Sequence, residues 1–265
     1  MVIQNYGIDE LTQFANEIIQ HAGEKALSYY GKGQSNLKFD DDLVTQAELD
    51  LTDVFQNRLS SQFPDHQIFN NNHEIGTYTH EGKRYLWIFD PLDGVANFQA
   101  GIPIWGMSLA LLENAWPIFG AFFMPATGDL FYARGGDKVY WGDAEISVSD
   151  QETLNDESLF LTYSRFHHYY LSTFPGKIRN MGCTTAHVCY VAMGRAEAAI
   201  ITSQSYKDIA AARIIIEAAG GKIYKIDGSE FFPNEYLEGK SIDDHLLVTY
   251  PDIFQQVVGC LQKVS

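Results

Sequence analysis

The sequence predicts a mixed α/β chain in two parts, an α+β half over residues 1–148 and an α/β half over 149–265. Three observations carry this prediction. Before residue 64, apolar side chains recur at three- and four-residue spacing in two long stretches, the period of an amphipathic helix. From 105 to 141, short β-branched and aromatic runs follow one another across tight turns, which means an antiparallel meander. Beyond a polar stretch at 147–153, helical and strand-like segments alternate.

The first helix covers residues 9–30, with Leu11, Phe14, Ile18, Ala22 and Ala26 on its apolar face and Gly31 and Gly33 at its end. A second begins at Thr45, which forms a capping-box pair with Glu48; Ala47, Leu51, Val54, Phe55 and Leu59 make its buried stripe, and it stops before Pro64. A short strand at 66–69 leads into Asn70-Asn71-Asn72, a turn-prone run. The aromatic run 85–89 reads as a buried strand that stops at Asp90-Pro91, because proline cannot donate to a ladder. Strands follow at 105–112, 118–124, 130–133 and 139–141, joined by turns such as Glu113-Asn114 and Thr127-Gly128-Asp129. In the second half, a strand at 160–162, a His/Tyr-rich segment at 165–173, a helix at 184–193 ended by Gly194 and a buried strand at 198–202 lead to a helix opened by Asp208. That helix places Ile209, Ala212 and Ile216 on one face and is capped by Gly220. Strands at 222–226 and 246–249 and a helix from Pro251, with Phe254, Val257, Val258 and Leu261 inward, close the chain.

Composition narrows the possible functions. The 265 residues are 46% hydrophobic, the share of a globular enzyme-sized unit. A net charge of −16 argues against a nucleic-acid partner, because such binding neutralises phosphates with Lys and Arg. No membrane span is expected: the most apolar region, 102–124, is interrupted by Glu113, Asn114 and Pro117. The opening residues lack a basic segment followed by an apolar core, so a cytoplasmic chain is expected. Cys183, Cys189 and Cys260 are scattered and fit reduced thiols.

Chemistry concentrates at Asp90-Pro91-Leu92-Asp93-Gly94. A rigid turn after a strand that aims two carboxylates and the freed carbonyl of Leu92 offers three oxygen ligands, the donors a hard cation such as Mg²⁺ requires. Gly94 lets the backbone approach a ligand, and the N–H groups after it suit an anion. The plainer alternative is an Asp-Pro turn with solvated acids. Asp208 at a helix start reads equally as a cap. The adjacent Lys207 has three readings: a competitor with metal for Asp208, a contact for an anionic substrate, or a side chain extended into solvent. His167 and His168 are neighbours that point to different faces, so they are a solvated or packed pair.

The segment Asp90-Pro91-Leu92-Asp93-Gly94-Val95-Ala96-Asn97-Phe98 is similar to the inositol monophosphatase signature D-P-[IL]-D-G-T-x-N-F at every position except Val95, where the family has Thr. Lys207-Asp208-Ile209-Ala210-Ala211 with Glu217-Ala218-Ala219-Gly220-Gly221 resembles the family's W-D-x-A-A…E-A-G-G, with Lys207 in place of Trp. Weaker likenesses are residues 43–48, LVTQAE, to L-V-T-x-A-D, where Glu48 stands for Asp in a role peripheral to the metals; Gly135 to Tyr140; and 182–199.

The resemblance implies a layered αβαβα sugar-phosphatase fold, a homodimer, and a Mg²⁺-dependent phosphatase of a small phosphomonoester, such as inositol phosphate or a related sugar or nucleotide phosphate. It implies Asp90 bridging two Mg²⁺ ions, with Glu74 and the Leu92 carbonyl on one and Asp93 and Asp208 on the other. Glu74 and Asp90 would be catalytic, and the phosphate would lie on the backbone amides of Gly94 and Val95, near Asp93 and Lys207. Two registers remain open: one insertion in the Asn run brings Glu74 to the family's Glu position, and the gapless one brings Asn72. Val95 lacks the hydroxyl that in the family helps orient and deprotonate water, so weakened catalysis is expected. The alternative is a pseudophosphatase used for binding or regulation, for which a family member active in transcription antitermination is a precedent. Ile201 stands where the family has a carboxylate for sugar hydroxyls, which argues against inositol phosphate in particular. The segment before Arg179 is shorter than in the family, so its helix should be reduced.

Overall fold

A computed structural model describes residues 6–32, 41–69, 83–202, 204–229, 231–236 and 241–264. Helix α1 (Ile8–Leu27) buries Leu11, Phe14, Ile18, Ala22 and Ala26, the stripe its periodicity requires. Helix α2 spans Asp41–Gln62 and starts one turn before the expected position. The Thr45 hydroxyl donates to the Asp41 carbonyl, 2.8 Å away and four residues back, so Thr45 lies inside the helix. The capping-box reading of Thr45 and Glu48 is therefore wrong: the first turn at 41–44 was hidden by its acidic, aperiodic sequence. Ala47, Leu51, Phe55 and Leu59 are buried as expected.

Among the described residues, the first sheet has seven strands in chain order: β1 (Gln67–Ile68), β2 (Tyr85–Asp93), β3 (Gly106–Glu113), β4 (Trp116–Met124), β5 (Asp129–Arg134), β6 (Val139–Trp141) and β7 (Ala144–Ile146), with α3 (Val95–Ala100) between β2 and β3. Only β1 and β2 run parallel; the other neighbours are antiparallel. β2 does not stop at Asp90. Asp90 pairs Ser108, the register shifts, and Asp93 pairs Gly106. Pro91 and Leu92 thus form a bulge, the one place in a paired strand that tolerates a residue without an N–H.

The second sheet has the order β10-β8-β11-β13-β12. Its strands are β8 (Leu159–Leu161), β10 (Lys177–Arg179), β11 (Ala198–Ile201), β12 (Lys222–Lys225) and β13 (Leu246–Thr249). β8 runs parallel to both β10 and β11, and β13 is antiparallel to β11 and β12. Between β8 and β10 lie only the four-residue α4 (Phe166–Tyr169) and β9 (Tyr170–Ser172), which matches the reduced helix expected there. Helices α5 (Thr184–Ala192) and α6 (Tyr206–Ala218) flank β11 in sequence. At the end, α7 (Phe254–Gly259) is shorter than expected: the chain turns into β14 (Leu261–Lys263), which pairs β9, so Leu261 belongs to a strand.

The period-two alternation of the strands sorts their side chains into layers. On β3, Met107, Leu109 and Leu111 face α1 and α2, while Ala110 and Leu112 face α5 and α6. On β11, Ala199 and Ile201 face that same middle layer, and Ala198 and Ile200 pack outward with Phe166, Ile253 and Phe254. The order is helices, sheet, helices, sheet, helices. One apolar cluster in the middle layer joins Ile88, Phe122 and Phe131 of the first sheet to Ile201 and Val248 of the second. α6 rests directly on β4: a Cβ on Gly120 would lie 2.9 Å from the Ile214 Cβ and 3.0 Å from the Ala211 carbonyl. This close seating fixes where α6 begins.

Candidate active site

The end of β2, the start of α6 and one face of α2 meet at a group of acids with one cation among them. Asp90, the last residue before the bulge, is buried, 4% exposed. The Lys207 ammonium, from the first turn of α6, lies 2.9 Å from its Oδ1. Asp208 is not the cap itself but the third residue of the helix. Its Oδ2 accepts from the Ser205 N–H at 2.7 Å and the Ser205 hydroxyl at 3.0 Å, the reach-back half of a capping box. Asp93 accepts from two amides at the start of α5, Thr185 N–H at 2.6 Å and Thr184 N–H at 3.2 Å. These are orphan donors of a helix N-terminus, which favour an anion.

The charges interact. Loss of hydration, and then the charge of Asp90, raises the pKa of both Asp93 and Asp208. Loss of hydration also raises that of Glu48; Lys207 opposes the rise and Asp90 adds to it. Burial draws the Lys207 ammonium down, but Asp90, Asp208 and Glu48 outweigh burial and hold it above its ordinary value. Glu48 therefore stands within the electrostatic field of Lys207 and Asp90. The LVTQAE likeness was the signal that could have placed it there.

Asn97 and His187 fix the loop that delivers α5. The Asn97 amide donates to the carbonyls of Ile104 at 2.6 Å and Met181 at 2.7 Å, while the Met181 N–H donates to His187 Nε2 at 3.0 Å. The peptide groups of Met181 are thus held from both sides. Burial lowers the His187 pKa to about 4, so the ring is neutral and its Nε2 is an acceptor. Gly94 has φ +83, and a Cβ there would lie 3.0 to 3.1 Å from Ile104, Cys183 and Trp105. Only glycine fits this turn from β2 into α3. Sequence reasoning missed α3 and gave Asn97 and His187 no role.

Of the residues expected in the site, the structure brings together Asp90, Asp93, Asp208 and Lys207, with Gly94 and Val95 at the start of α3. Leu92 buries its side chain in the α1/α2 layer. Val95 packs against that layer and offers no hydroxyl. Asn72 and Glu74 lie outside the described residues. The Lys207 ammonium is paired with Asp90 and also feels the charge of Asp208. His167 and His168 are exposed, with ring centroids 4.3 Å apart. Beside the start of α5 lies a cavity of about 180 Å³ lined by Tyr163, Ser164, Asn180, Thr184, Ile201 and Thr202.

All the acidic donors are oxygens, and among the described residues Asp90, Asp93, Asp208 and Glu48 around the Lys207 ammonium leave the site with excess negative charge. In kind this suits a hard divalent cation. Among the described residues, no three His, Cys, Asp or Glu side chains stand ready to hold one as they lie. No helix among those residues is long and apolar enough to cross a membrane.

Comparison with known proteins places the chain in a family. A histidinol-phosphatase from Chlorobaculum parvum is 29% identical over 82% of this chain and 86% of its own length. A fructose-1,6-bisphosphatase/inositol-1-monophosphatase from Aquifex aeolicus is 30% identical over 70% and 73%. Among solved structures, the Thermotoga maritima IMPase superposes with a TM-score of 0.76 at 24% identity, covering 96% of each chain, which shows the shared fold. The sequence model of the inositol monophosphatase family matches residues 8–250, and the chain belongs to that family.

Proposed function

We propose that this protein is a Mg²⁺-dependent phosphatase that hydrolyses a small phosphomonoester. The observation that carries the reading is the Lys207–Asp90 pair, which joins the strand-end bulge carrying Asp90 and Asp93 to the helix start, more than a hundred residues later, that carries Asp208. A bound divalent cation would supply a water of lowered pKa and a Lewis acid for the leaving oxygen. Asp90, the Leu92 carbonyl, Asp93, Asp208 and Glu74 are the groups that would hold it. Gly94 and Val95 present backbone amides to the phosphate, Asn97 and His187 keep the α5 start against Asp93, and Lys207 adds positive charge nearby.

Catalysis should be slow for a member of this family. Val95 keeps its amide but lacks a hydroxyl, and loss of one positioned polar group at a transition state commonly costs a factor of about 10² to 10³. The names of the relatives point to histidinol phosphate, fructose 1,6-bisphosphate and inositol 1-phosphate as substrates to try. Each joins phosphate to a small hydrophilic alcohol. The cavity beside α5 supports that class, since Tyr163, Ser164, Asn180, Thr184 and Thr202 put hydroxyl and amide groups in its wall beside the apolar Ile200 and Ile201. Ile201 in its wall weighs against inositol. The net charge of −16 and three free cysteines support a cytoplasmic enzyme without a nucleic-acid partner. A homodimer rests on the family resemblance and is tested by light scattering after size exclusion.

Phosphate release from these three esters, measured with and without Mg²⁺, tests the proposal. Mg²⁺-dependent release from at least one supports it. Absence of release from all of them, by both the natural chain and Val95→Thr, overturns it.

A further inference from the structure

We infer that Lys207 is a resident cation of the site, seated on Asp90, and that a divalent ion binding at Asp90 must displace it. The inference rests on the reading of these acids as a divalent-cation site. Two features of the ion pair support it. The pair is close, at 2.9 Å, and its two ends differ in freedom, because the Asp90 side chain is 6% exposed and that of Lys207 is 34% exposed. A buried carboxylate and a partly exposed ammonium on a flexible four-carbon stem make a contact that opens from the lysine side.

The other acids are differently committed. Asp93 gives both oxygens to the amides of Thr184 and Thr185, and Asp208 gives one to Ser205. Among the described residues of the site, Asp90 Oδ1 is the carboxylate oxygen paired with the end of a long, flexible side chain. A divalent ion ligated there would lie close to the ammonium, and two cations at that separation repel in a partly desolvated site. Metal affinity is therefore reduced by the work of moving Lys207 away. Once displaced, the ammonium is free to face the phosphate of a substrate, which links ester binding to metal entry.

Direct binding of Mn²⁺, followed by loss of the free-ion electron paramagnetic resonance signal, tests this on the full chain and on Lys207→Met, Lys207→Trp and Asp90→Asn. The expected result is binding tighter by about tenfold or more in either Lys207 variant than in the natural chain, and loss of that binding when Asp90→Asn is added. In metal-free buffer Lys207→Met should melt below the natural chain and recover with Mn²⁺. A second measurement needs no variant: amine-directed labelling of Lys207 in the natural chain, read by mass spectrometry, should rise severalfold when Mn²⁺ is added. Equal or weaker Mn²⁺ binding in the Lys207 variants, or labelling unchanged by Mn²⁺, overturns the inference. If Mg²⁺-dependent phosphate release persists in that case, the function stands and only the role of Lys207 falls. If no variant binds Mn²⁺, both fall.

Discussion

Replacing His187 with Gln should flatten part of the acid dependence of stability. His187 is 3% exposed, and its Nε2 accepts the Met181 N–H, so protonation removes a hydrogen bond and places a charge in the core. Its folded pKa is about 4 against 6.5 in an ordinary chain. The folded value is the lower one, so the unfolded chain binds the proton first. The stability that neutral His187 allows is therefore complete above about pH 6.5 and is lost as pH falls toward 4. At about 1.4 kcal/mol per pH unit, that interval corresponds to about 3 kcal/mol. Gln keeps an acceptor for the Met181 N–H and does not titrate. Urea unfolding followed by tryptophan fluorescence from pH 7.5 to 4.5, on both proteins, measures the difference. Taking the difference cancels His66, whose pKa burial also lowers to about 4, and the raised pKa values of Asp93 and Asp208, which act in the opposite direction. The advantage of the natural chain at pH 7.5 should shrink by about 2 to 3 kcal/mol at pH 4.5. A difference constant across that range would refute the reasoning.

Three further substitutions have expected outcomes. Asn97→Ala leaves the Ile104 and Met181 carbonyls without their donor and should cost about 2 to 4 kcal/mol in urea unfolding, with loss of phosphatase activity as the α5 start moves off Asp93. A cost under about 0.5 kcal/mol would mean that water replaces the amide without penalty. Phe55→Ala, which empties a fully buried position stacked on Phe89, should cost about 3 to 5 kcal/mol. Its effect should appear as a lower melting temperature, with kcat per folded molecule preserved. Val95→Thr restores a hydroxyl and should raise kcat by about tenfold or more without a matching change in KM; unchanged kcat would show that the hydroxyl is not what limits turnover.

The elements with strong periodicity were legible in the sequence, and so was the layered order of the chain. The buried stripe of α1 and strands such as β6 and β13 repeat a pattern that local sequence alone imposes. What stayed hidden was set by partners distant in the chain. The acidic first turn of α2 has no apolar stripe to betray it. β7 is three half-exposed or exposed residues that exist as a strand only because β6 lies beside them. The Asp90–Asp93 bulge looked like a strand end because proline is punctuation locally, while the pairing of Asp93 with Gly106 is a long-range fact. At the site, residue types were readable and their commitments were not. Nothing near Asp93 in sequence shows that helix amides 91 and 92 residues later hold it, and nothing near Lys207 shows that it reaches Asp90.

The middle helices α5 and α6 are shared property. Each sheet buries an inner face against them, so neither sheet has a complete core of its own. Unfolding should therefore be a single cooperative event, and fragments cut between β7 and β8 should fail as independent folding units while regaining structure when mixed. Since one sheet carries Asp90 and Asp93 and the shared helices carry Asp208 and the Asp93-binding amides, turnover and the last native tertiary contacts should disappear at the same denaturant concentration.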